Sequence, residues 1–255
     1  MPVLSSVSKA LTLLDAFTAE RPELTLSELA RQAGAHKSSA FRLLSTLEAH
    51  GFVEKSPSGR GYRLGWKPLE LSGRLLGRYE LRELAAPHME ELAQKSGEIV
   101  HLSILDGAEI VYLDKRGRSQ PLTVSTTVGG RSPAHASAMG KVLLAGLQPA
   151  EAQRLLGGRP LKRFTATTIT DRRRLGRELE AIRRQGFALD NEEAFPGIRC
   201  VAAPLRGRSG RVLAALSLTV PAQRMGARRQ AELKDWVTDT AARISERIRA
   251  GGIDE

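Results

Sequence analysis

Two hydroxyl side chains, Ser217 and Thr219, stand two positions apart near the end of the apolar run Val212 to Val220. Residues i and i+2 of an extended strand share a face, so the pair can bond one ligand carboxylate or carbonyl. Leu213 and Ala215 complete that face, while Val212, Ala214, Leu216, Leu218 and Val220 form a fully apolar opposite one. A hydroxylated strand face also suits solvent, and the run itself leaves both readings open. Cys200, His135 and Asp190 are the residue types of a thiol triad, but nothing in the sequence brings them together. A lone Cys in an apolar strand reads first as a small buried hydrophobe. Gly140-Lys141 is not a P-loop, because Val142 follows where Ser or Thr is needed and His135 stands where a Gly is needed. His36, His50, His88, His101 and His135 show no paired metal-ligand spacing. No catalysis, cofactor or metal is expected. The start of a helix at Ser137 to Lys141 offers free amides to an anion, as every helix start does.

A second chemistry is basic and exposed. At 100° per residue, Ala40, Leu43, Leu44 and Leu47 form the buried stripe of a helix running from about Lys37 to His50. Ser38, Arg42 and Ser45 lie opposite, and Lys37, Ser39, Phe41 and Thr46 flank them. That face is short, polar and basic, with no carboxylate before Glu48. It suits a DNA major groove, where Arg reads guanine edges or holds phosphates and Ser bonds either. Phe41 either packs on a thymine methyl or tucks against the first helix.

The elements that would position these residues can be read from periodicity and turn chemistry. Val7, Ala10, Leu11, Leu14 and Phe17 predict an inward helical stripe over Ser5 to Phe17. Thr25-Leu26-Ser27-Glu28 is a capping box opening a short helix that ends near Gly34. Gly51 closes the third helix, and strands at Phe52 to Lys55 and Gly61 to Leu64 flank a turn-rich Ser56 to Arg60. Three helices followed by a small basic hairpin make a winged helix-turn-helix, with Arg60 and Arg63 placed where a wing meets phosphates. Trp66 to Tyr79 predicts a connecting helix with Leu69, Leu75, Leu76 and Tyr79 on its apolar side. The next helical pattern runs to Lys95, with Leu81, Leu84, Met89 and Leu92 inward, and Pro87 should kink it or start its main segment.

Beyond it, strands are expected at Glu98 to Leu105, Glu109 to Lys115, Pro121 to Val128, Phe187 to Glu192, Ile198 to Arg206 and Val212 to Val220. Helices are expected over Ser137 to Leu147, from Pro149, over Asp171 to Gln185 (capped by Thr170) and over Gln230 to Arg249.

The chain has 255 residues and a net charge of +11, which suggests a polyanionic partner. The charge does not locate the binding face. Residues 1–80 hold only a net +3, and the dense basic stretch Arg159 to Arg184 reads as a solvated helix face. With 4% aromatic residues, a base-stacking platform for single strands is not expected. No apolar run reaches the roughly 18 residues of a membrane helix, the opening residues carry no signal pattern, and the single cysteine fits a reducing cytoplasm.

HKSSAFRLLSTLEAHGFVEKSPSGRGYRLG resembles the DNA-binding segment of the IclR family of bacterial transcription regulators. The resemblance continues, colinearly, through GGRSPAHASAMGKVLLA and LDNEEAFPGIRCVAAPL to AALSLTVP, so it spans nearly the whole chain. It implies an α+β protein: a winged helix-turn-helix at 1–65, a linker helix at 66–82, and a GAF-like effector-binding domain at 83–255 with a mostly antiparallel sheet. It further implies a homodimer or homotetramer on palindromic double-stranded DNA, responding to a small organic acid or aromatic metabolite. The family's effector pocket maps onto Ala138, Met139, Asp190, Cys200, Ser217 and Thr219. Met139 is bulky where small residues often sit, which could narrow the pocket. An ionised Asp190 would repel a carboxylate, so it should be protonated or bond a ligand hydroxyl or amide. The expected DNA-contacting set is Lys37, Ser38, Ser39, Phe41, Arg42, Ser45, Arg60 and Arg63. The function expected is a ligand-responsive, sequence-specific regulator. The rival readings are a thiol enzyme and a protein that coats DNA without a ligand.

Overall fold

The computed structural model describes residues 3–77, 80–117, 126–158 and 160–253. The chain forms two compact units, Met1–Arg78 and Tyr79–Glu255.

In the first unit, α1 (Ser5–Asp15), α2 (Leu26–Gln32) and α3 (Lys37–Ala49) precede a hairpin of β1 (Val53–Lys55) and β2 (Tyr62–Leu64), and α4 (Lys67–Leu76) follows. The capping box forms. Thr25 Oγ1 accepts from the Glu28 amide at 3.3 Å, and the Glu28 carboxylate accepts from the Thr25 amide at 2.8 Å. Leu13, Leu24, Leu29, Leu44, Val53 and Tyr62 build one small core, closed by a bridge between Leu24 and Tyr62. The inward stripe expected on α1 is only partly inward. Leu13 is its buried residue, while Val7 and Leu11 stay more than half exposed. α4 buries no side chain at all, and Leu69 and Leu75 are exposed. The reason is geometric: so small a core covers one side of each helix, and periodicity alone does not say whether an apolar side faces it.

The second unit contains α5 (Glu80–Ser96), β3 (Ile99–Asp106), β4 (Glu109–Arg116) and β5 (Arg131–Pro133). A 3-10 turn at Ala134–Ala136 leads to α6 (Ala138–Ala145), α7 (Pro149–Leu155) and α8 (Arg172–Gln185). It ends with β6 (Ala188–Asn191), β7 (Ile198–Arg206), β8 (Val212–Pro221) and, after a second 3-10 turn, α9 (Ala227–Gly251). The sheet order is β5-β4-β3-β8-β7-β6, every pair antiparallel. The molecule is therefore α+β. On one sheet face, Ala188, Ala202 and Ala215 pack with α6 and α8; α5 and α9 pack together and against the sheet.

Three local expectations change. Asp171, not Thr170, caps α8, its carboxylate accepting from the Arg174 amide at 2.7 Å. Thr170 is one residue too early to reach that amide. Pro87 does not start a segment but lies inside a single α5, where Leu81, Ala85, Met89 and Leu92 are all buried and outweigh one missing amide donor. The strand expected at 121–128 falls for its greater part outside the described residues, and its described end, Thr126 to Val128, is not strand. No helix among the described residues is long and apolar enough to cross a membrane.

Candidate functional site

Ladder register gathers one set of side chains under α6. Asp190 pairs with Cys200, Cys200 with Thr219, and Ser217 with His101 across four adjacent strands. Because register partners point to the same sheet face, these residues meet although up to 118 positions separate them. Asp190, Cys200, Ser217 and Thr219 line a cavity of about 30 Å³ together with Ala138 and Met139 of α6. All six residues expected around a ligand thus border one space. The face of β8 that carries Ser217 and Thr219 is buried, not solvent-facing.

α6 is set close to this cavity by two sequence features. The Ser137 hydroxyl caps it, accepting from the Gly140 amide at 3.1 Å. Gly140 lets the helix rest on the 3-10 turn, since a Cβ there would lie 2.3 Å from the Ala134 Cα and carbonyl oxygen. The amides of Ala138 and Met139, in the helix's first turn, precede the intrahelical ladder and remain available to an acceptor.

The hydroxyls differ in their engagement. Thr219 Oγ1 lies 3.2 Å from His101 Nδ1 and 3.4 Å from Cys200 Sγ. His101 Nε2 lies 2.7 Å from Thr126 Oγ1. Ser217 Oγ is buried and has no hydrogen-bond partner among the described residues. A buried polar atom left so costs free energy and calls for an explanation.

Burial dominates the electrostatics. It pushes the Asp190 carboxyl up to about 7, with Glu193 and Glu192 adding to the rise, while the Glu193 amide, donating to Oδ1 at 2.7 Å, and Lys141 oppose it. It pushes His101 down to about 3, helped by Lys115, so the ring is neutral. It pushes Tyr112 up to about 12 and raises the Cys200 thiol. A thiol held protonated is a poor nucleophile. The imagined third member of a triad, His135, is occupied elsewhere, its Nε2 lying 2.9 Å from the Lys162 carbonyl oxygen. The thiol-enzyme reading therefore fails on geometry and on protonation. Among the described residues no cluster of His, Cys, Asp and Glu could hold a metal.

Lys141 is fully buried, its Nζ 2.5 Å from Glu193 Oε1 and 3.4 Å from Glu178 Oε1. This ties α6 to the loop after β6, which also forms the cavity's mouth through Ala194 and Phe195. In that loop Glu192 adopts a left-handed φ of 61°, rare for a side-chain-bearing residue. Thr167 and Thr168 hold it in place by donating to the Glu192 and Glu193 carbonyls at 2.8 and 2.6 Å.

Periodicity did not single out His101, Tyr112 or Phe195. His101 had a signal: with Ser103 it repeats the i, i+2 polar pattern inside the apolar run Ile99 to Leu105. Phe195 had none, because loop residues carry no period.

In the first unit, Lys37, Ser38, Ser39, Phe41, Arg42 and Ser45 are all exposed along α3, while Ala40 and Leu44 are fully buried. Phe41, half exposed, is not tucked into the core. The Arg42 guanidinium makes no hydrogen bond or ion pair with the described residues. Arg60 is likewise exposed at the hairpin turn. Arg63 is engaged, its Nε donating to Glu54 across the hairpin at 2.5 Å. The pair is solvent-exposed and worth only about 0–1 kcal/mol, so a phosphate can displace it.

Two sequence models match the chain: the IclR helix-turn-helix domain over residues 6–57, and the bacterial transcriptional regulator IclR C-terminal domain over residues 73–246. The chain is 36% identical over 248 residues to the HTH-type transcriptional regulator XynR of Escherichia coli (strain K12), covering 97% of this chain and 98% of that one. The crystal structure of the Thermotoga maritima IclR superposes with a TM-score of 0.79 at 32% identity, covering 95% of this chain and 98% of that one. An IclR homolog from Microbacterium hydrocarbonoxydans, complexed with 4-hydroxybenzoate, superposes with a TM-score of 0.83 at 29% identity, covering 96% and 99%.

Proposed function

Because the chain belongs to the IclR family of bacterial transcriptional regulators, we propose that α3 reads operator DNA and that a small organic acid bound beneath α6 changes operator affinity. The chain is a regulator with a helix-turn-helix and an IclR effector domain, and not an enzyme. In this reading residues 1–65 bind DNA, 66–82 connect, and 83–255 take the effector. Lys37, Ser38, Ser39, Phe41, Arg42 and Ser45 enter the major groove, and Arg60 and Arg63 meet phosphates. The exposed apolar sides of α1 and α4 support self-association on a palindromic site. The lone thiol suits the cytoplasm.

The observation that carries the ligand reading is Ser217, a buried hydroxyl on the wall of the cavity that lacks a partner among the described residues. A carboxylate accepting from Ser217 Oγ and from the first amides of α6 would satisfy all of them. The effector controls DNA only if it binds two arrangements of the protein with different affinity.

Ser217→Ala is the test. A hydrogen bond to a charged group contributes about 1.5–3 kcal/mol, so effector affinity should fall roughly 10- to 150-fold. Calorimetry with the effector, beside gel shifts without it, measures both sides. Equal effector affinity in the two proteins rejects the cavity as the site; lost operator binding would show that Ser217 holds the fold instead. The single variant is cleaner than pairing it with Thr219→Val, which would also strip His101 and Cys200 of their partner.

The Asp190 carboxyl adds a pH dependence. Its raised value means the folded protein holds a proton that the unfolded chain releases from about pH 4 upward. Stability contributed by that proton is present at low pH and lost as pH rises towards 7. Relative to Asp190→Asn, which keeps an acceptor for the Glu193 amide, wild type should lose thermal stability between about pH 4 and 7 and stay level above. A carboxylate effector should likewise bind more weakly as pH rises through 7, because it then faces a second negative charge. A melting-temperature difference between the two proteins that does not change over pH 4–8 would contradict the assignment.

A further inference from the structure

The effector reading leaves open which acids fit, and the side chain that limits the space is visible. The cavity's volume of about 30 Å³ is room for two or three waters, each of which needs about 10–15 Å³ measured the same way. A dry apolar cavity known to take a benzene ring measures about 150 Å³.

Four long side chains border the space. Ile198 belongs to β7 and is buried, and Tyr112 is buried in β4. Phe195 sits at the mouth, part exposed. Met139 reaches from α6 to the sheet, where its Sδ accepts from Ser103 Oγ at 3.1 Å. Ser103 pairs with Ala215, two residues before Ser217 on the same face of β8. Met139 thus borders the same space as the Ser217 hydroxyl, which has no partner among the described residues.

We propose that Met139 sets the size limit of the effector site, restricting this protein to small aliphatic carboxylic acids and excluding benzoate-sized rings. The proposal rests on the cavity being the effector site. The polar atoms fit such a ligand. Ser217 Oγ and the Ala138 and Met139 amides can hold a carboxylate, and the buried cation nearest by, Lys141, is already paired with Glu193 and Glu178. A space of this volume does not take a ring while the thioether stays in place. Deleting its three outer atoms should widen that space, because Gly140 packs on the Ala134 backbone and holds α6 where it is.

The test is calorimetry with acetate, lactate and 4-hydroxybenzoate on the full chain carrying Met139→Ala, Met139→Leu or Ser217→Ala, beside wild type. Circular dichroism and thermal melts check folding. Wild type should bind lactate or acetate at least tenfold more tightly than 4-hydroxybenzoate. Met139→Ala should raise 4-hydroxybenzoate affinity at least tenfold, and the similarly sized Leu should leave it low. If the alanine variant does not fold, Met139→Val makes the same measurement with a smaller gain. Tight 4-hydroxybenzoate binding by wild type, no gain on trimming Met139, or no acid bound by any variant overturns the size limit. If Ser217→Ala weakens every acid while trimming Met139 changes nothing, the effector site stands and only the size limit falls. If Ser217→Ala changes no affinity, the site itself falls and the size limit with it.

Discussion

Arg42→Ala is expected to abolish specific operator binding while leaving the melting temperature of the first unit unchanged. Arg42 is exposed on α3, opposite Ala40 and Leu44, and its guanidinium has no partner among the described residues to lose. A good bidentate base contact is worth about 1–3 kcal/mol per site. On a palindrome a two-fold dimer loses it twice, about 2–6 kcal/mol, or roughly 30-fold to more than 10⁴-fold in affinity. Non-specific binding should change much less, since only one phosphate-range charge per subunit is removed. Gel shifts on the operator and on scrambled DNA, at one fixed salt concentration, separate the two. Equal loss on both sequences would make Arg42 a phosphate contact rather than a reader of bases.

Lys141→Met should destabilise the second unit by about 3–5 kcal/mol, the usual cost of stranding one member of a buried ion pair. Methionine keeps most of the lysine stem's volume, so the loss isolates the charge. It leaves the Glu193 carboxylate, 6% exposed on its side chain, without its close cation, and one of that carboxylate's oxygens already has no partner among the described residues. At roughly 2–4 °C per kcal/mol for a unit of this size, calorimetry should show a drop of about 6–20 °C. Adding Glu193→Gln should recover much of it, because removing both charges costs far less than removing one. A drop below about 2 °C would mean that water already reaches Glu193. The same substitution should lift Asp190 further, since Lys141 now holds it down.

The sequence declared its local structure well where one residue decides it. The Thr25 to Glu28 box forms as written because both partners lie within one helical turn. Gly186 ends α8 in a left-handed turn because glycine takes that conformation without a Cβ clash. The exposed face of α3 followed from its buried stripe, since a helix fixes the angle between any two of its residues. Strand alternation correctly put Ser217 and Thr219 on one face of β8. The six residues named from the family resemblance border one cavity, a point that spacing alone never carried.

Which face of an element meets the core is another matter. Val7 and Leu11 have the right period on α1 yet stay exposed, and α4 is amphipathic with nothing buried. Period reports that a helix has two sides; only the neighbouring elements decide which side is covered. Cavity chemistry is equally tertiary. Ser217 and Thr219 are alike in sequence, but the strand beside them gives Thr219 a histidine partner, while Ser217 has none among the described residues. Asp190 is shifted by burial beneath elements far away in the chain, and Met139 meets Ser103 of β3 across the sheet face. The sequence by itself determined most of the helices and strands, the helix-turn-helix surface and the polar face of β8, because each depends on contacts within a few residues. The register of β3, β8, β7 and β6 decided the cavity, its size and its protonation, because those depend on distances between segments that no local pattern encodes.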